Sequence, residues 1–138
     1  MSAGNLIMVD ADALVTSDPR PLLEMKGGVA LRVRAGRIEP WNQFSACFVR
    51  GTNSALAYFR AVADAIKSCI ANPFWGLDQY ALFVAFLALK PELTLVGPAI
   101  ASVDAEEPGV FWFTAGSAKD QLSTAQSAYA KLFRSYSG

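Results

Sequence analysis

A chain of 138 residues with 12 basic and 12 acidic side chains carries no net charge, which excludes the basic surface that nucleic acid or an anionic membrane calls for. It has no histidine, so the commonest general base and metal ligand is excluded as well. Hydrophobic residues make up 53%, above the usual range, and that surplus calls for a tightly buried sheet, an oligomer interface or a partner domain. The length suits one domain with its own core, read here as residues 1–138. Cys47 and Cys69 lack a CxxC spacing and read as small core residues in a reducing compartment, which points to the cytoplasm. No basic n-region followed by an apolar h-region opens the sequence, so no signal peptide is expected. The longest apolar stretch, around Tyr80 to Leu89, is too short to span a bilayer.

Leu6 to Val9 is a short apolar run, which predicts a buried strand of a layered α/β sheet. It runs into Asp10 and Asp12. In an extended chain residues i and i+2 point the same way, so the two carboxylates can aim at one spot. Like charges that close repel unless a cation or proton lies between them, and a hard divalent cation bridging to phosphate is the usual solution. A strand ending in a polar turn is the alternative. Asp18-Pro19 marks a helix start and Pro21 to Met25 a turn or two of helix, punctuated by Gly27-Gly28. Val29, Leu31 and Val33 alternate with Ala30, Arg32 and Arg34, the pattern of a half-buried strand. Arg32, Arg34 and Arg37 form either a solvated face or an anion contact.

Gly36 to Gln43 reads as a loop whose Trp41 packs on a neighbour or offers a flat face to a ligand. Phe44 to Val49 is a second strand, and Thr52 or Asn53 is placed to cap the next helix. There Leu56, Phe59, Val62, Ile66 and Ile70 recur at steps of three and four, while Arg60, Asp64 and Lys67 face away. Asn72-Pro73 ends that helix. Leu77 to Leu89 is almost wholly apolar and predicts a helix buried all round, stopped by Lys90-Pro91, with Asp78 and Gln79 in its first turn. Asp78 there either complements the helix dipole or reaches into a site. Leu93 to Val96 is a strand, Pro98 to Pro108 an acidic loop, and Val110 to Thr114 an aromatic strand. Ala115-Gly116 turns the chain, Ser117 and Asp120 resemble a capping box, and Leu122 to Phe133 line a final helix.

In this order the motifs resemble the second half of a GT-A type nucleotide-sugar glycosyltransferase domain. Ile7 to Pro19, with Asp10 and Asp12, looks like the DxD strand and its following Asp-Pro. Phe44-Ser45-Ala46-Cys47 with Gly51-Thr52 is similar to the strand that borders the sugar site. Trp75-Gly76-Leu77-Asp78-Gln79-Tyr80-Ala81-Leu82 matches the "D-Q-x-A-L" helix start, and Phe113 to Lys119 resembles the closing "H-x-x-G-x-x-K" segment. The resemblance implies a layered mixed sheet with flanking helices. It makes Asp10 and Asp12 ligands of a divalent metal, manganese or magnesium, held against the diphosphate of a nucleotide-sugar donor. It makes Asp78 and Gln79 sugar or acceptor contacts at the catalytic centre, and Lys119, Gly116 and Ser45 donor contacts.

The departures carry expectations of their own. Phe113 stands at the histidine position, so metal binding should be weak, and Ser45 and Cys47 replace the asparagine and glycine of the sugar-site strand. Only nine residues precede Asp10, where the family has its nucleotide-binding half, so the chain alone is expected to bind a nucleotide sugar poorly or not at all, even with manganese. A sheet so cut leaves an open edge, which predicts a homodimer or larger assembly. Two other classes remain: a degenerate GT-A-like domain used for binding or assembly, and a phosphatase-like enzyme with Asp10 in an aspartyl-nucleophile loop. Leu14, where such phosphatases prefer threonine, counts against the second.

Overall fold

The computed structural model describes residues 4–34, 36–104 and 106–113. Among these the chain divides into two compact units, one made of the residues through Val9 with Arg20–Val96, the other of Asp10–Pro19 with the residues from Gly97 onward. Both are built on mixed sheets, and with its flanking helices the protein is of the expected α/β class.

The larger unit carries strands β1 (Leu6–Val9), β3 (Val29–Val33), β4 (Phe44–Gly51) and β5 (Leu93–Val96) in the order β1-β4-β3-β5. β4 runs antiparallel to β1 and β3, and β5 lies parallel to β3. Arg20–Glu24 forms a single 3-10 turn where the Asp-Pro signal predicted a short helix. Helices α1 (Pro40–Gln43), α2 (Leu56–Cys69) and α3 (Leu77–Leu89) complete this unit. The smaller unit pairs β2 (Leu14–Val15), β7 (Phe111–Trp112) and β6 (Ala101–Ser102) in the order β2-β7-β6. Thr16 ties it together, its N–H donating to the Val110 carbonyl at 2.9 Å and its hydroxyl to the Gly109 and Val110 carbonyls.

The core lies between sheet and helices. Val29, Leu31, Phe44 and Val49 pack with Ala55, Tyr58, Leu82 and Ala85. Phe59 crosses β4 so closely that a Cβ added at Gly51 would overlap its ring, so only glycine fits there. Tyr58 is buried and donates its hydroxyl to the Leu82 carbonyl of α3 at 2.8 Å, bolting the two helices together. Burial pushes its phenol above the ordinary value of 10.

Several expectations change. β1 is an edge strand, with Leu6 58% exposed, rather than a buried one, because it has β4 on one side only. β3 is buried on both faces over Val29–Leu31 rather than half-buried, since it sits between β4 and β5. α3 buries Ala81, Leu82 and Ala85 but leaves Leu87 and Leu89 exposed, so apolar composition all round did not bring cover all round. On α2 the buried anchor is Tyr58, while Leu56 and Ile70 at the ends of the predicted stripe lie in solvent. Neither Thr52 nor Asn53 caps α2 with its side chain; Thr52 pairs with the Ser54 hydroxyl instead, and a 3-10 turn over Asn53–Ala55 leads in. The loop read between Gly36 and Gln43 contains α1, with Pro40 at the favoured first position. β6 arises within the segment read as an acidic loop. The turn at Gly116, Lys119 and the final helix lie outside the described residues.

One register shift matters for the site. Leu31 pairs with Val49 but the next residue, Arg32, pairs with Ser45, so β4 bulges against β3. A bulge re-aims the residues beyond it, and this one separates the regular centre of the sheet from the end that carries Arg34.

Candidate functional site

Past the bulge the Arg34 N–H donates to the Gln43 carbonyl at 2.8 Å. Its side chain then gathers two helices. Nη2 donates to the Asn42 carbonyl and to Asn42 Oδ1, each at 2.9 Å, and to Gln79 Oε1. Asn42 belongs to α1 and Gln79 to the first turn of α3, so one guanidinium sets both against the end of β3. Desolvation, then the charges of Arg37 and Arg32, hold the Arg34 pKa below the usual arginine range, while Asp78 opposes the shift. An arginine so perturbed is still a cation at neutral pH. It donates only, so the oxygen of Gln79 must face it, and the amide N–H groups of Gln79 are left for other acceptors.

The entry to α3 is built by glycine and aromatic rings. Gly76 has φ +82°, and a Cβ there would come within 2.9 Å of the Trp41 ring. Both facts require glycine. The Gly76 carbonyl accepts the first helical bond, from the Tyr80 N–H at 2.9 Å, and the Phe74 carbonyl accepts from the Leu77 N–H at 3.2 Å. Trp41 meets Phe74 and Tyr80 edge-on, with centroids 6.3 and 6.5 Å away, and Phe74 meets Tyr80 at 5.5 Å. Of the two readings of Trp41, packing on neighbours is therefore seen. Asp78 is exposed, and its Oδ1 accepts from the Gln79 N–H at 2.8 Å in the first turn, where a negative charge suits the helix dipole. Asp78, Gln79, Arg34 and Asn42 thus form one polar cluster beside an aromatic one.

The remaining predicted residues are distributed otherwise. Asp10 and Asp12 stand in a tight turn closed by the Ala13 N–H donating to the Asp10 carbonyl at 3.0 Å, not in an extended strand, so the alternating geometry expected to aim both carboxylates does not apply. Among the described residues no group of three or more Cys, Asp or Glu side chains could hold a metal. Two carboxylates on one turn still fit an ion that completes its shell with phosphate oxygens and water, as magnesium and its relatives commonly do. Ser45 is buried in β4 and donates its hydroxyl to Cys47 Sγ at 2.9 Å. Phe113 is buried in the smaller unit. Both cysteines are free.

Sequence reasoning missed the part played by Arg34. Its alternation along β3 was visible, but its contact with Gln79 spans 45 residues and depends on the bulge. It also missed Arg50, which is fully buried on β4 and donates through Nη2 to the Lys26 and Gly27 carbonyls at 3.0 and 3.1 Å, with Nε and Nη1 unpartnered. Desolvation lowers its pKa.

The architecture is glycosyltransferase-like. It is similar to the crystal structure of the glycosyltransferase GlyE of Streptococcus pneumoniae TIGR4, with a TM-score of 0.57 and 14% sequence identity, over 99% of this chain and 44% of that one. The chain therefore spans less than half the length of GlyE. No protein-family model matches it, and no curated protein matches it in sequence. Among the described residues no helix is long and apolar enough to cross a membrane.

Proposed function

We propose that this chain is the sugar-facing part of a GT-A type glycosyltransferase that transfers a sugar from a nucleotide-sugar donor, with residues 1–138 forming one incomplete GT-A-like domain. The observation that carries this reading is the likeness in fold to a glycosyltransferase over 99% of the chain. The polar cluster at the start of α3 supports it chemically. Arg34 holds the oxygen of Gln79, so the Gln79 amide offers hydrogen-bond donors beside the Asp78 carboxylate, an acceptor. A donor and an acceptor side by side match a sugar hydroxyl, which both donates and accepts.

On this reading Asp10 and Asp12 would hold a divalent ion, manganese or magnesium. Such an ion supplies a Lewis acid for the departing nucleotide. Gly116 and Lys119 would add donor contacts, whereas Ser45, expected to be a third, is buried in β4 with its hydroxyl on Cys47. The exposed edge of β1 is the face through which two copies would pair, burying at least about 1,000 Å² in total. A monomeric mass in light scattering at micromolar concentration would remove that part of the proposal.

The test of the central reading is calorimetry of manganese with UDP on the wild type and on Asp12→Asn. Weak manganese heat that disappears in Asp12→Asn is expected, with or without UDP. Equal heats from both proteins would refute the metal role. One observation favours a second reading, a degenerate domain used for binding: Phe113, at the position of the family's third ligand, is a buried apolar ring. Absence of any manganese heat in a folded protein would select it.

A further inference from the structure

Trp75 is the most exposed aromatic side chain among the described residues, at 74%, and its neighbour Phe74 is 44% exposed. Isolated exposed apolar residues are common and need no explanation, but an exposed phenylalanine and tryptophan side by side in the chain, just ahead of an exposed carboxylate and an oriented amide, offer a ligand an apolar face and polar contacts within one segment. The segment that carries them is rigidly built. Phe74 is held edge-on by Trp41 and Tyr80. Gly76 is fixed in the left-handed region with the Trp41 ring beneath it. Three residues beyond Trp75, across that glycine turn, the exposed Asp78 begins the helix, and Gln79 comes next with its amide oriented by Arg34.

We propose that Trp75 is a stacking platform for a pyranose ring whose hydroxyls reach Asp78 and Gln79, so that the acceptor is a carbohydrate. This rests on the reading of Asp78 and Gln79 as sugar contacts. The choice of ligand comes from chemistry. A pyranose has an apolar C–H face that covers an indole, and a rim of hydroxyls that both donate and accept. The Arg34 cation, with Arg37 and Arg32 near it, offsets the Asp78 carboxylate, so charge does not select the ligand; the apolar indole face does, and it favours a sugar ring over a phosphate. A glutamine offering N–H groups beside a carboxylate offering lone pairs matches two adjacent hydroxyls.

The experiment uses the full chain without metal or nucleotide. Its three tryptophans, Trp41, Trp75 and Trp112, give three indole N–H signals in a proton–nitrogen NMR spectrum. Methyl β-D-galactopyranoside, methyl α-D-glucopyranoside and N-acetylglucosamine are titrated separately, with glycerol as a polyol lacking a ring. A saturable shift of the Trp75 signal is expected with at least one sugar and none with glycerol, while Trp112, buried in the smaller unit, stays put. Trp75→Ala should weaken that sugar at least about tenfold, and Trp75→Phe less, as a smaller ring stacks over less area. Because Trp75 is exposed, neither variant should lower the melting temperature, which is measured alongside. No Trp75 shift with any sugar at about 100 mM, near the weakest affinity of interest, would overturn the proposal. So would an unchanged affinity in Trp75→Ala, or a Trp75 signal that moves with protein concentration alone, which would assign the platform to a protein contact. Sugar binding without manganese binding would leave the platform standing and remove the metal-dependent glycosyltransferase reading; manganese binding with no sugar shift would do the reverse.

Discussion

The interior of the larger unit and the open end at the start of α3 both bury polar side chains, but they satisfy them differently. In the interior, Arg50 donates to the carbonyls of Lys26 and Gly27, and Tyr58 to the carbonyl of Leu82. Those partners are backbone and cannot turn away. At the open end Arg34 holds one backbone carbonyl, that of Asn42, but also two side chains, Asn42 Oδ1 and Gln79 Oε1, which can exchange partners when a ligand arrives. The contrast separates polar groups that hold the fold from polar groups that are positioned for recognition. It predicts that interior substitutions act on stability and open-end substitutions on binding.

The largest effect should come from Arg50→Ala. It leaves a cavity in a fully buried place and strips two carbonyls of a charged donor, so a loss of about 3 kcal/mol or more is expected in urea denaturation. Arg50→Met fills most of the space and removes two unpartnered N–H-bearing nitrogens, and should cost only about 1 kcal/mol. A wild-type midpoint for Arg50→Ala would show that this guanidinium holds nothing.

Gly76→Ala comes next and probes the open end. A side chain at φ +82° is strained, and its Cβ meets the Trp41 ring, so a loss of about 1–2 kcal/mol is expected by thermal denaturation. The near-ultraviolet dichroism of the aromatic cluster should change with it. An unchanged spectrum and melting temperature would mean that the turn tolerates a Cβ.

Tyr58→Phe removes one buried hydrogen bond and should cost about 1 kcal/mol at neutral pH. Its pH dependence sharpens the test. The folded-state pKa of Tyr58 lies above the unfolded value of 10, so the native state holds the proton more tightly. That contribution is fully present below pH 10 and is lost as pH rises above it. The wild type should therefore lose melting temperature more steeply than Tyr58→Phe between pH 9 and 11. Parallel slopes would contradict a buried, neutral phenol.

The smallest effect on stability should be that of Arg34→Lys, less than about 1 kcal/mol, because the site is part-exposed and the charge is kept. A lysine cannot hold Asn42 and Gln79 together as a planar guanidinium does, so affinity for a sugar should fall severalfold while the fold is unchanged. Equal loss of stability and binding would place Arg34 with the interior group instead.

Much of the element pattern was legible in the sequence. β1, α3 and β5 lie at the expected residues because sharp local signals bound each: an apolar run before two aspartates, Gly76 and Lys90-Pro91 around α3, and Pro91 and Gly97 around Leu93–Val96. The candidate site was half legible. Asp78 and Gln79 stood out as polar residues opening an apolar helix, whereas Arg34 read as one of three arginines on a solvated face or at an anion contact. Its place depends on a bulge in β4 and on α1, neither of which leaves a periodic trace.

The sequence by itself determined the α/β class and the bounds of β1, β3, α3 and β5, since propensity and chain breakers act over a few neighbouring residues. Only the tertiary structure decided which apolar segments are covered. Leu6–Val9 and Val29–Leu31 are both apolar, yet one is an exposed edge and the other has no exposed surface, because strand order is set by pairing between distant segments. The same holds for Asp10 and Asp12, whose turn replaced the extended geometry their spacing suggested, and for Arg34 and Gln79, joined across 45 residues by packing that no local pattern encodes.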